Sequence, residues 1–207
     1  MKVQKRIEKW AAGIVVCTAM FSLASCSGNG SGSADQQVTK DTTATTAPAP
    51  APAPATPTFT DPEIASIAVT ANQIDVDYGK LALEKSKNAD VKKFAQTMIK
   101  DHSDIIKQAT DLAKKLNVTP QDNSMTQSLL NGEKTTMEKL KALSGHDFDT
   151  AYINNEVGYH AAVIDAVKNV LTPQIQNAEL KDLIVKVTPL LDHHLEMAKE
   201  DQAKIDK

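Results

Sequence analysis

The sequence predicts an all-α fold. Three observations lead there. From Thr60 to Lys207 the apolar residues recur three and four positions apart, the spacing of one buried helix face. No stretch of useful length alternates polar and apolar residues with period two. Capping side chains and prolines interrupt the pattern near residues 60–62, 86–88, 117–120, 144–145 and 172–173.

The first helix opens at Thr60, Asp61, Pro62 and Glu63, which combine capping side chains with a proline in the first turn, and runs to about Lys85. After a short turn at 86–88, Asn88 or Asp90 caps a second helix that stops at Asn117, ahead of Thr119 and Pro120. A third helix covers roughly residues 125–143, and Ser144 and Gly145 end it. The fourth covers roughly 147–171, closed by Thr172 and Pro173. The fifth covers roughly 178–205, with a kink or a one-turn break expected at Pro189. Short connections make helices one and two, and helices four and five, antiparallel hairpins. The segment 117–146 then crosses between them and carries the additional helix. Four long helices with one long crossover are the layout of a ferritin-like four-helix bundle.

The N-terminus sets the expected compartment. Lys2, Lys5, Arg6 and Lys9 precede an apolar run, as in a secretory signal, and the run is too short to span a membrane. It ends in Leu23, Ala24, Ser25 and Cys26, the pattern of a bacterial lipobox whose Cys is acylated. Residues 1–25 therefore read as a lipoprotein signal peptide, and residues 26–59 as a lipidated Cys26 followed by a disordered Gly/Ser-, Thr- and Ala-Pro-rich tether. Residues 60–207 are the bundle domain. Ser27, next to the Cys, points to the outer membrane with the domain facing the periplasm. The expected partner is the membrane, through the lipid. With Cys17 lost in the signal and Cys26 acylated, no thiol remains for a disulfide. The formal charge is −3 for the whole chain. Residues 1–25 carry four cations and one anion, so their removal makes it more acidic still, and nucleic acid is not an expected partner.

Each long helix places a polar residue on its apolar stripe. In "FAQTMIKDHSDII" the face of Phe94, Met98 and Ile105 requires position 102, which is His102. His160 holds the same place in the fourth helix, with Glu156 one turn earlier, and His194 in the fifth. Asp75 holds it in the first. Distances from the hairpin turns, at about 1.5 Å per residue, bring all four to similar heights. The pattern admits two readings. One is a transition-metal site (Zn, Fe or Cu) built from Asp75, His102, His160 and His194, with Glu156 in reserve. The other is a hydrogen-bonded polar layer that fixes helix register, with Asp75, Tyr78, Tyr152 or Tyr159 as partners. Asp101 and Asp104 flank His102 and read as exposed or as braces behind a ligand. His193 points to the flank, and His146 reads as a solvated loop residue.

The blocks "ANQIDVDYGKLALEKSKNADVKKFAQTMIKDHS", "FDTAYINNEVGYHAAVI" and "TPLLDHHLEMAK" resemble the domain-of-unknown-function family 4142. The resemblance covers about residues 60–205. It implies an exported bacterial protein, often a lipoprotein, with a ferritin-like fold, and it implies no activity. The family usually has glutamate where this chain has Asp75. No Glu stands three residues before His102, His160 or His194, so the di-iron pattern is absent. Nor is there a G-x-S-x-G, a C-x-x-C or an H-E-x-x-H. The leading expectation is an envelope lipoprotein with a binding, structural or stress role and no catalysis. The alternative is a metal-binding ferritin-like protein.

Overall fold

The computed structural model describes residues 58–205. The signal sequence, Cys26 and the tether up to residue 57 lie outside the described residues. Within them the chain forms α1 (Asp61–Lys85), α2 (Ala89–Lys115), α3 (Ser124–Ala142), α4 (Gly145–Asp165) and α5 (Ala178–Ile205), and no strand. None of these helices is long and apolar enough to cross a membrane.

Local chemistry sets the ends. The Glu63 carboxylate accepts from the Thr60 N–H and hydroxyl, both at 2.8 Å, and Pro62 needs no partner in the first turn. Asn88 Oδ1 accepts from the N–H of Asp90 and Val91, and Asn123 Oδ1 from those of Met125 and Thr126. Asn117, at φ 53°, takes the left-handed conformation that ends α2, where the Val118 N–H returns to the Ala113 carbonyl. Phe59 is buried in the core and its N–H bonds Gln174 Oε1 at 2.7 Å, so this residue packs with the bundle rather than with the tether.

Two elements differ from expectation. The fourth helix is α-helical only to Asp165, then widens into a π-helical stretch (Ala166–Leu171) and a 3₁₀ turn (Thr172–Gln174). Pro173 has no N–H to extend α-helical bonding, and the segment relaxes ahead of it. Conversely, α5 continues through Pro189 without the one-turn break that is the alternative to a kink there. The carbonyl that Pro189 leaves without an N–H partner belongs to Val185, which is 55% exposed, so water can satisfy it.

The helices form a bundle of two hairpins. α1 packs chiefly on α2 and α4 chiefly on α5, while α2 meets α5 and α1 meets α4. The crossover helix α3 lies mainly against α1. Phe94, Phe148, Tyr152, Met98 and Ile153 centre one apolar cluster, toward the α1–α2 turn. Ile64, Ile67, Leu171, Leu180 and Ile184 belong to another, toward the opposite end. The polar residues at the midpoints lie between the two.

α1 and α2 approach closely at Gly79, where an added Cβ would stand 2.9 Å from Ile99 Cγ1 and 3.1 Å from the Ala95 carbonyl oxygen. Gly158 in α4 is exposed, with nothing within 4 Å of an added Cβ. Gly79→Val is expected to destabilise the domain by about 2–3 kcal/mol through overpacking. Gly158→Ala is expected to stabilise it by about 0.5–1 kcal/mol through helix propensity. Urea unfolding monitored by circular dichroism checks both.

Candidate metal centre

Four helices supply the site. Asp75 comes from α1, His102 from α2, Glu156 and His160 from α4, and His194 from α5. All five are at most 2% exposed. The three imidazoles form a near-equilateral group, with ring centroids 5.0 Å apart for His102 and His194 and 5.6 Å for each ring against His160. One nitrogen from each ring lies within 4.8 Å of the other two.

Each ring has one nitrogen engaged and one free. His102 Nδ1 lies 2.7 Å from Asn72 Oδ1, His160 Nδ1 3.0 Å from the Glu156 carbonyl oxygen, and His194 Nε2 3.1 Å from Asp101 Oδ2. The Asn72 amide is oriented by its own Nδ2, which donates to the Ala68 carbonyl at 2.7 Å. All three partners are acceptors, so each engaged nitrogen carries the proton. A neutral ring then has a bare lone pair on its other nitrogen. Those atoms are His102 Nε2, His160 Nε2 and His194 Nδ1, and none has a hydrogen-bond partner. Burial keeps the rings neutral. It lowers His102 and His194 to about 4, and it lowers His160 as well, against the pull of Asp75.

Each of these three buried lone pairs lacks the donor that water would supply. A cation bound by the rings would meet that lack. Acceptors holding the far N–H of each ring are also the usual environment of metal-bound histidine. The donor set therefore fits a transition ion.

The carboxylates lie beside the rings. Asp75 Oδ2 is 3.7 Å from His102 Nε2, and Asp75 Oδ1 is 4.0 Å from His160 Nε2. Glu156 Oε2 is 3.4 Å from His160 Nδ1. Asp75, Glu156 and His160 form a second group with ligand atoms within 4.8 Å. Burial, and then the charge of Asp75, push the Glu156 carboxyl well above its usual range.

The structure thus gathers Asp75, His102, Glu156, His160 and His194 in one place. His193 is exposed, and so is His146, although it sits in the first turn of α4 rather than in a loop. Asp104 stays at the surface with Lys100, while Asp101 braces His194. The expected tyrosine partners are not the hydrogen-bond acceptors of the rings: Tyr159 donates to the Ala71 carbonyl at 3.1 Å and meets the His160 ring edge-on. Asn72 was not singled out from sequence. Its position one turn before Asp75 is the signal that was available.

Burial raises the Asp75 carboxyl from 3.8 to about 6, with His160 opposing the rise. An acid that holds its proton more tightly in the folded state loses stability as pH rises through that interval. In chelator-treated protein at pH 8, Asp75→Asn is expected to raise stability by about 1–3 kcal/mol, a gain that fades as the pH approaches 4. Urea titrations at the two pH values measure it.

No curated protein matches the chain. Among solved structures, the bundle is similar to CopM in the Cu(II)-bound form, at 18% sequence identity and a TM-score of 0.54, covering 70% of this chain and 98% of that one. That likeness is one of fold. Residues 44–200 match the family described as Domain of unknown function (DUF4142), and the chain belongs to that family.

Proposed function

We propose that this chain is a lipid-anchored envelope protein whose helical domain binds one transition-metal ion through His102, His160 and His194, with Asp75 as the adjacent anionic ligand. The observation that carries the reading is three buried imidazoles grouped so that one nitrogen of each lies within 4.8 Å of the others, each ring with one nitrogen held by an acceptor and the other unpartnered. A polar layer serving register alone would pair its donors with its acceptors inside the layer. Here every ring donates to a group outside the trio and leaves its other nitrogen without a hydrogen bond. The set of three neutral nitrogens and a carboxylate suits copper or zinc. The similar structure is a Cu(II)-bound form, which makes copper the first ion to test.

The role is binding rather than turnover, and the anchor places it at the periplasmic face of the outer membrane. Lipobox and tether support that placement, since Cys26 stands where acylation would occur and the Ala-Pro spacer holds a domain away from a surface.

The test uses protein purified without an affinity tag, stripped by chelator and titrated separately with Cu(II) and Zn(II). One ion per chain is expected. His102→Ala and His160→Ala should each abolish it. Asp101→Ala should weaken it by about 10- to 100-fold by releasing the His194 ring. His146→Ala and His193→Ala should bind as the parent does. No stoichiometric ion, with the cluster variants merely less stable, would return the layer to a structural role. For the anchor, labelled palmitate is expected to appear in the parent chain in bacterial cells and to be lost in Cys26→Ser. Equal labelling of both would remove the lipid attachment from the reading.

A further inference from the structure

The apolar stripe of α2 does not end at the cluster. Ala109, Leu112, Ala113 and Leu116 continue it, yet all four are only half-buried, unlike Phe94, Met98 and Ile105 earlier on the same face. They line a cavity of about 480 Å³, within the usual range for small-molecule pockets. On α1 its lining runs from Asp61 to Tyr78. At 1.5 Å per residue that is a trough roughly 25 Å long. Small side chains on three walls leave the room: Ala68 on α1, Ala109 and Ala113 on α2, and Ala166 in the π-helical stretch.

The crossover helix forms the roof. Met125, Leu129, Gly132 and Thr136, on one face of α3, line the cavity. α3 buries only Thr126 and Leu140, near its two ends. Those ends are tied down, one through Asn123 Nδ2 on the Glu63 carbonyl and the other by Lys85 Nζ on the Lys141 carbonyl at 2.7 Å. The middle of α3 thus lies over open space.

The lining also carries polar information. It contains Asp61, Asp75 and Glu133 and no Lys or Arg. Asp61 already accepts from the N–H groups of Gln176 and Asn177. A carboxylate or phosphate head would find no counter-charge here.

We propose that this trough binds an elongated, uncharged molecule built on a hydrocarbon chain, of the long-chain alcohol class, lying along α1, α2 and α5 beneath α3. The site adjoins the metal reading, with Asp75 and His102 as shared neighbours, and does not require it, because the aliphatic walls are present whether or not an ion is bound.

The experiment uses the chain with Cys26→Ser, which removes acylation and the need for detergent, and the neutral fluorophore N-phenyl-1-naphthylamine. Saturable one-to-one binding is expected, equal with and without chelator. Dodecan-1-ol should displace the probe at concentrations at least tenfold lower than dodecanoate. Ala109→Phe should raise the probe Kd at least tenfold by filling the bore. Should that variant fail to fold, Ala113→Leu serves, a smaller addition on the same half-buried wall. Absence of saturable binding, equal displacement by dodecanoate, or indifference to the filling variants would overturn the proposal. So would binding that appears only after proteolysis removes the residues before 58, because the trough would then belong to the chain's own N-terminal segment. Failure of the metal titration with this result intact would sink the metal reading alone.

Discussion

Three buried imidazoles, each with one nitrogen lacking a hydrogen bond, set the terms for the rest of this bundle. Each ring is oriented by the N–H of its other nitrogen, which donates to the Asn72 amide oxygen, the Glu156 carbonyl or the Asp101 carboxylate. Asp101 remains anionic although burial opposes it, because Lys100 and His194 stabilise the charge. Loss of any one of these acceptors would let a ring rotate or change tautomer, and the grouping of the unpartnered nitrogens would be lost. The acceptors come from α1, α2 and α4, so the orientation of the rings depends on the packing of three helices as well as on the helices that carry them.

The packing on either side makes that dependence workable. Toward the α1–α2 turn, Phe148 stacks on Tyr152 with ring planes 2° apart, and Phe94 meets Tyr152 edge to face. This cluster is tightly closed. Beyond the cluster the interior opens into the trough, which runs past the apolar cluster of Leu171 and Leu180 as far as Asp61. One side of the His layer is therefore solid and the other yielding. Asp75 and His102 line both the cluster and the trough, so an ion at the rings and a molecule in the cavity would share these two side chains as neighbours.

Helix ends were legible in the sequence because they are written in short-range chemistry. Thr60 with Glu63, Asn88, and the Asn117 left-handed turn each act within a few residues. The shared height of Asp75, His102, His160 and His194 was legible for a related reason, since hairpin turns fix helix register and rise per residue does the rest. What sequence could not supply was the far side of each contact. Asn72 looks like any polar helix residue until α2 places His102 against it. The stripe of α2 reads as continuous core, and only the fold shows that past Ile105 it lines a cavity and stays half-buried. Pro189 was read by its intrinsic tendency, which solvent at the exposed Val185 offsets. The π-helical stretch also escaped, because its residues fit an α-helical pattern equally well.

The crossover helix is the element whose role changes most between sequence and structure. As sequence, α3 reads as an additional helix on the crossover. In the fold it is fixed at both ends and lines the trough with one face, while Met125, Leu129 and Met137 pack on the edges of the core. A helix that merely joined two hairpins would gain stability by lengthening the side chain at Gly132 or Thr136 until the space beneath was filled. Small residues there keep the cavity open at a cost in packing. That cost, set beside a polar layer that forgoes a further apolar level of the core, places both departures from ordinary bundle packing in one contiguous region of the molecule. Stability has been given up at the rings and beneath α3 together, which is the distribution expected when a fold keeps room for ligands at its centre.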